Sequence, residues 1–166
     1  MTILELKVYI EERFPKLWSH VEISLATTAT LLLKNNANPT GLILVGPPSS
    51  GKTTILNMFI GLDEITYYTD YFTSKSFVSH TARKKNQTTE QIDMLPRIHK
   101  KCLVFPDLGV ILGKRRDDVN ENLTIFTRLM DGRGLSTDSG TLGRRCYSGD
   151  FFFSVLGVAT SMSRCH

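Results

Sequence analysis

The sequence predicts an α/β fold, a parallel sheet flanked by helices. Three observations carry that expectation. The apolar run Leu42-Ile43-Leu44-Val45 leads through a glycine-bounded stretch, Gly46–Thr53, into the helical pattern Thr54–Ile60. A second short apolar run, Cys102–Phe105, is followed closely by an acid, Asp107. A third, Phe151–Ala159, ends at Thr160-Ser161. Strands buried on both faces of a parallel sheet read as short continuous apolar runs, and helical patterns separate these three.

Taken in order, residues 3–14 carry Ile3, Leu6, Val8, Ile10 and Phe14 among charged residues. This reads as a helix that Pro15 ends. Between Trp18 and Leu33 apolar residues recur at three and four, a second helix. Asn35–Gly41 is a loop. Residues 1–41 are thus an N-terminal helical segment packing on a core at 42–161, with 162–166 as a tail. Within the core, the helix after the glycine stretch runs to about Gly61, and Ile65–Phe72 has strand composition. Ser74–Arg83 suits a short helix. Thr89 caps another through Leu95, which Pro96 ends. The charges of Gly113–Asn120 balance and read as a solvated loop. Asn122–Met130 is helical, and the glycines of Asp131–Gly134 suit its C-terminal cap. Leu135–Tyr147 fits a β-hairpin with its turn at Asp138–Gly140.

At 166 residues the chain is one domain's worth, and 41% apolar with 22% charged residues is an ordinary globular composition. The net charge of +4 permits a nucleic-acid partner without demanding one. Cys102, Cys146 and Cys165 are far apart and odd in number, which reads as free thiols in a reducing compartment. His20, His80, His99 and His166 are scattered, against a structural zinc. No run reaches the ~18–20 apolar residues that span a bilayer. With no signal-peptide pattern at the N-terminus, a cytoplasmic location and no membrane partner are expected.

Gly46-Pro47-Pro48-Ser49-Ser50-Gly51-Lys52-Thr53 fits the phosphate-binding pattern G-x-x-x-x-G-K-[ST] at every fixed position, between a strand and a helix. Gly46 and Gly51 let the backbone close round a phosphate. The loop N–H groups form an anion nest. Lys52 offers a point charge to the β- and γ-phosphates, and Thr53 a hydroxyl ligand to Mg²⁺. Asp107 reads as the acid that a buried strand delivers to the same Mg²⁺ and its waters; a turn-forming aspartate is the other reading.

With these motifs in this order, the chain resembles the AAA+ ATPases, a branch of the P-loop NTPases. Leu129–Ser161 is similar to the hairpin-before-sensor region of their helicase-like and enhancer-binding branches. Gly46–Thr54, with Tyr67–Ser79 and Leu129–Thr160, looks like uncharacterised ATP-binding proteins of microbial genomes and mobile elements. The resemblance implies a three-layer P-loop fold that binds and hydrolyses ATP with Mg²⁺. The cradle would be Gly46–Thr54, with Thr53 and Asp107 on the metal and Asp107 or a neighbour orienting water. It makes Thr160 a polar sensor of the γ-phosphate; a hydroxyl satisfying a strand-end backbone group is the alternative. Arg144 and Arg145 stand where an arginine finger could reach a neighbouring subunit, with Arg133 a lesser candidate; a solvated cation pair is the competing reading. A complete module of the family adds a fifth core strand and a helical lid, so the chain is expected to lack the lid. The implied partners are a homo-oligomer, nucleic acid as the client of a DNA-associated motor, and the remainder of an ATPase module. A nucleotide switch with little turnover is the alternative function, and a small-molecule kinase ranks below both.

Overall fold

The computed structural model describes residues 2–34, 39–79, 88, 92–139, 143–149 and 151–160. Two helices open the chain, α1 (Ile3–Arg13) and α2 (Trp18–Ala29), the second running into a 3₁₀ turn at Thr30–Leu32. A reciprocal cap starts α1, with the Thr2 hydroxyl accepting from Glu5 N while the Glu5 carboxylate accepts from Thr2 N. Then follow β1 (Gly41–Gly46), α3 (Lys52–Asn57), β2 (Thr66–Tyr68), α4 (Ser74–Phe77), α5 (Met94–Ile98), β3 (Cys102–Phe105), α6 (Gly109–Leu112) and α7 (Arg116–Leu129). The hairpin β4 (Gly134–Ser139) and β5 (Gly143–Ser148) precedes the last strand, β6 (Ser154–Thr160).

Four strands form one parallel sheet in the order β1-β6-β3-β2. Alternate residues of the inner strands go to opposite faces, and both faces are buried. On one face Leu44, Cys102, Val104, Leu156 and Val158 pack with Ile10, Trp18 and Val21 of the N-terminal helices and Ile55 and Leu56 of α3. On the other, Leu103, Phe105 and Val155 pack with Phe77, Leu95, Ile98 and Leu129 from α4, α5 and α7. The helices therefore sandwich the sheet. None of them is long and apolar enough to cross a membrane, among the described residues.

Several boundaries differ from expectation for identifiable reasons. Pro96 does not end a helix; it is the third residue of α5, which starts after Asp93. A first-turn N–H has no intrahelical acceptor, so proline is tolerated there. The expected cap Thr89 lies outside the described residues. The charged stretch expected as loop joins α7 from Arg116, putting Asp117 and Asp118 in its first turn, where the helix dipole favours acids. β2 keeps only Thr66–Tyr68 of the expected Ile65–Phe72; Phe72 instead turns into the core against Phe77 and Phe105. The hairpin ladder runs as far as Ser139 opposite Gly143, beyond the expected turn start. Its connecting residues, 140–142, lie outside the described set, as do most of the expected helical extension to Arg83 and the tail.

The hairpin is fastened to the core by a buried charge. Leu135, Thr137, Arg145 and Tyr147 share one face of it, since Leu135 is opposite Tyr147 and Thr137 opposite Arg145. Arg145 Nη1 donates to Asp93 Oδ1 at 3.0 Å, with side-chain exposures of 9% and 0%. Tyr147 Oη donates to Asp93 Oδ2 at 2.8 Å, and Ser79 N donates to Asp93 Oδ1 at 2.8 Å. Asp93 is thereby satisfied on both oxygens, the condition for burying a carboxylate.

Two outcomes are expected. Gly157 faces Phe105 so closely that a Cβ would lie 2.5 Å from its ring and 2.9 Å from Ile43 Cδ1. Gly157→Ala should therefore cost about 1–3 kcal/mol, read as a lower urea midpoint; an unchanged midpoint would show that the strand has room for a methyl. Arg145→Ala strands the Asp93 carboxylate and should cost about 3–5 kcal/mol. A loss below about 0.5 kcal/mol, the range of ordinary surface changes, would mean that the pair is solvated.

Candidate functional site

The glycine-bounded loop leaves β1 at Gly46 and enters α3 at Lys52. Ser49 and Gly51 both adopt left-handed backbone, φ 61° and 84°. Glycine takes that conformation freely, and serine takes it at a cost that collects at ligand-binding loops. Gly46 and Gly51 are closely hemmed. A Cβ at Gly46 would sit 3.1 Å from Ser50 Oγ, inside the loop, and one at Gly51 would meet Leu17 at 3.1 Å. Leu17, just ahead of α2, thus buttresses the loop from outside.

Lys52 folds back across the loop. Its ammonium donates to Gly46 O at 2.9 Å, Pro47 O at 2.5 Å and Ser50 Oγ at 3.2 Å. A cation held over a loop with two left-handed residues suits an anion. Pro47, Pro48, Ser49, Ser50 and Thr53 are exposed, and Thr54 is half-buried. The loop is open to solvent.

Because β1, β6 and β3 are parallel, their carboxyl ends share one edge. Gly46 is paired with Thr160 and Phe105 with Gly157, so Thr160 lies directly beside the start of the loop. Asp107 stands two residues beyond the end of β3, on the far side of β6. Pro106 has no N–H to give, and the next bond to β6 runs from Leu108 N to Val158 O at 2.7 Å. That skip leaves Asp107 exposed at the edge. Its Oδ1 accepts from Gly109 N at 2.7 Å, while Oδ2 has no partner among the described residues. The helix after β1 lies on one face of the sheet and those after β2 and β3 on the other. Open α/β sheets bind ligands where connections switch faces in this way.

Among the described residues, no three His, Cys, Asp or Glu side chains gather to hold a metal. Thr53 and Asp107 supply one hydroxyl and one carboxylate, which suits Mg²⁺ that keeps its waters and takes phosphate oxygens. Cys102 is buried, and burial pushes its thiol above the ordinary range, so it is not a ready nucleophile. Tyr68 donates to Asp70 Oδ1 at 2.6 Å beyond β2, and that bond holds its phenol pKa above the usual value.

The two arginines part ways. Arg145 is turned into the core on Asp93, which corrects its expectation as a finger or as one of a solvated pair. Arg144 is exposed on the outer hairpin face, opposite Asp138. Arg133 is exposed and bridges Phe151. The basic stretch Arg97–Lys101 is partly spent locally, Arg97 over the Tyr67 ring and on Asp93 O, Lys101 on Asp63 O. The stretch Arg83–Lys85 lies outside the described residues. Sequence reasoning missed Asp93 and Tyr147. Tyr147 was findable as the hairpin residue two beyond Arg145, hence on the same face; nothing local marks Asp93.

In comparisons with known proteins, no protein-family model matches this chain, and no curated protein matches it significantly.

Proposed function

We propose that the chain binds Mg-ATP at Gly46–Thr54 and hydrolyses it. The observation that carries this reading is the Lys52 ammonium drawn over an open loop with two left-handed residues, whose strand ends beside Thr160 and on the same sheet edge as Asp107. Lys52 would exchange its carbonyl partners for β- and γ-phosphate oxygens. The loop N–H groups would neutralise the same charge without reorganising, as preorganised donors do. Thr53 and the open oxygen of Asp107 would hold Mg²⁺, which spreads phosphate charge during transfer. Thr160, paired with Gly46 on the neighbouring strand, would orient water or sense the γ-phosphate.

One observation favours the slower alternative, a nucleotide-dependent switch with little turnover. Asp107 is a single acid, and half of its carboxylate is already spent on Gly109 N. Metal binding and water polarisation then compete for one oxygen. The AAA+ resemblance extends the proposal to a homo-oligomer acting on nucleic acid through the hairpin. Arg144, not Arg145, is the arginine free of the core for contact with a neighbouring subunit.

Lys52→Ala should remove measurable ATP affinity in calorimetry; wild-type affinity would overturn the cradle. Asp107→Asn should lower kcat by tenfold or more, on the order of one lost metal or water contact, with nucleotide affinity changed far less. Equal loss of both would make Asp107 a folding residue, and wild-type turnover would exclude it from the chemistry.

A further inference from the structure

We propose that the open side of β1 pairs with β1 of a second copy, antiparallel about Ile43, so that two chains share one sheet across a two-fold axis. The pairing is independent of nucleotide binding, since neither Lys52 nor Arg144 lies on β1. β1 is an outermost strand with β6 as its one neighbour in the sheet. Gly41 is paired with Val155, and Val155 N donates to Thr40 O at 2.8 Å. In a parallel ladder that pattern sends the N–H and C=O groups of Leu42 and Leu44 to β6. The same groups of Gly41, Ile43 and Val45 point the other way, out of the sheet. Among the described residues, no other hydrogen bond reaches them. Gly41 is exposed and Val45 is 66% exposed, so this side of the strand is uncovered.

A row of unpaired backbone donors and acceptors is a template for another strand, and folded chains guard such rows with charges, bulges or prolines. The opposite flank of the sheet is guarded. β2 has only three residues, and Thr66 N is spent on Leu62 O at 2.8 Å. β1 carries no charge and no proline from Gly41 to Gly46.

The row itself selects its partner, because it is symmetric about Ile43. Antiparallel pairing in that register sets Ile43 opposite Ile43 of the second copy, and Gly41 opposite its Val45. Opposed residues whose groups face each other exchange two hydrogen bonds. Every outward N–H of one copy then meets an outward carbonyl of the other. The row also stops in register: Pro39 and Pro47, each four residues from Ile43, have no N–H to give. Glycine opposite valine leaves room for the exposed Val45 side chain. With no charge in the strand, no like charges are set opposite one another. Opposed residues point to the same face, so each face of one copy's sheet continues into the same face of the other. A self-complementary patch of this kind closes as a two-fold dimer.

The test is amide hydrogen exchange on the ¹⁵N-labelled chain, without nucleotide, at concentrations where sedimentation finds monomer and dimer. In the monomer Leu42 and Leu44 should exchange slowly, and Gly41, Ile43 and Val45 fast. In the dimer the second set should slow at least about tenfold. Val45→Pro removes an N–H that the sheet does not use, so Leu42 and Leu44 should keep their protection. Its dimer dissociation constant should rise at least about tenfold for the two bonds lost. A chain that stays monomeric, a dimer in which Gly41, Ile43 and Val45 still exchange fast, or a folded Val45→Pro chain that dimerises as the wild type does would each overturn the proposal. So would slow exchange of those three amides in the monomer, which would mean that another stretch of the same chain covers the row.

Discussion

A sheet covered on both faces leaves its strands one solvated direction, their ends. That constraint organises this chain. Leu44, Val104 and Leu156 must face one helical layer and Phe105, Val155 and Leu103 the other. At Gly157 on β6 the Phe105 ring of β3 lies where a Cβ would be. With all four strands parallel, the loops that leave them gather along a single edge. The Lys52 loop, Asp107 and Thr160 are at that edge because the faces are closed.

At the edge, small backbone decisions set what each side chain can do. Two left-handed residues curl the loop and Leu17 supports it from the N-terminal helices. Pro106 interrupts the ladder between β3 and β6, so Asp107 stands clear of the sheet. The same release lets Gly109 N claim one of its oxygens. In the proposed site, a carboxylate shared between this turn and a metal would be a compromise between holding the strand end and serving the ligand.

The hairpin is organised by a different interaction. Its inner face converges on Asp93, a carboxylate with no solvent and four described hydrogen bonds from three residues besides the Arg145 contact to Ser79. Its outer face carries Ser136, Asp138, Arg144, Cys146 and Ser148, which alternate with the inner set. Strand period alone separates the two faces, so neighbouring arginines have opposite fates. One is a structural cation and the other is exposed. Since the hairpin's second strand leads through Phe151–Phe153 into β6, its anchorage and the position of Thr160 lie on one short stretch of chain.

Residue order was enough for whatever depends on neighbours along the chain. The strand-loop-helix at Gly46–Thr53, the buried runs at Cys102–Phe105 and within Phe151–Ala159, both N-terminal helices and the existence of the hairpin follow from spacing, turn chemistry and apolar periodicity. These are local forces, and they act on contiguous residues. Helix and strand limits were less legible: Pro96 was misplaced because a first turn tolerates proline, and Arg116–Asn120 because charge balance outside a helix looks the same as a solvated first turn. The folded chain alone decided the strand order that sets Thr160 beside Gly46, the inward turn of Arg145 onto Asp93, and the bond from Ser74 N to Asn122 Oδ1 between α4 and α7. Each joins residues tens of positions apart, and no pattern within a short window can encode which distant group will be across the contact.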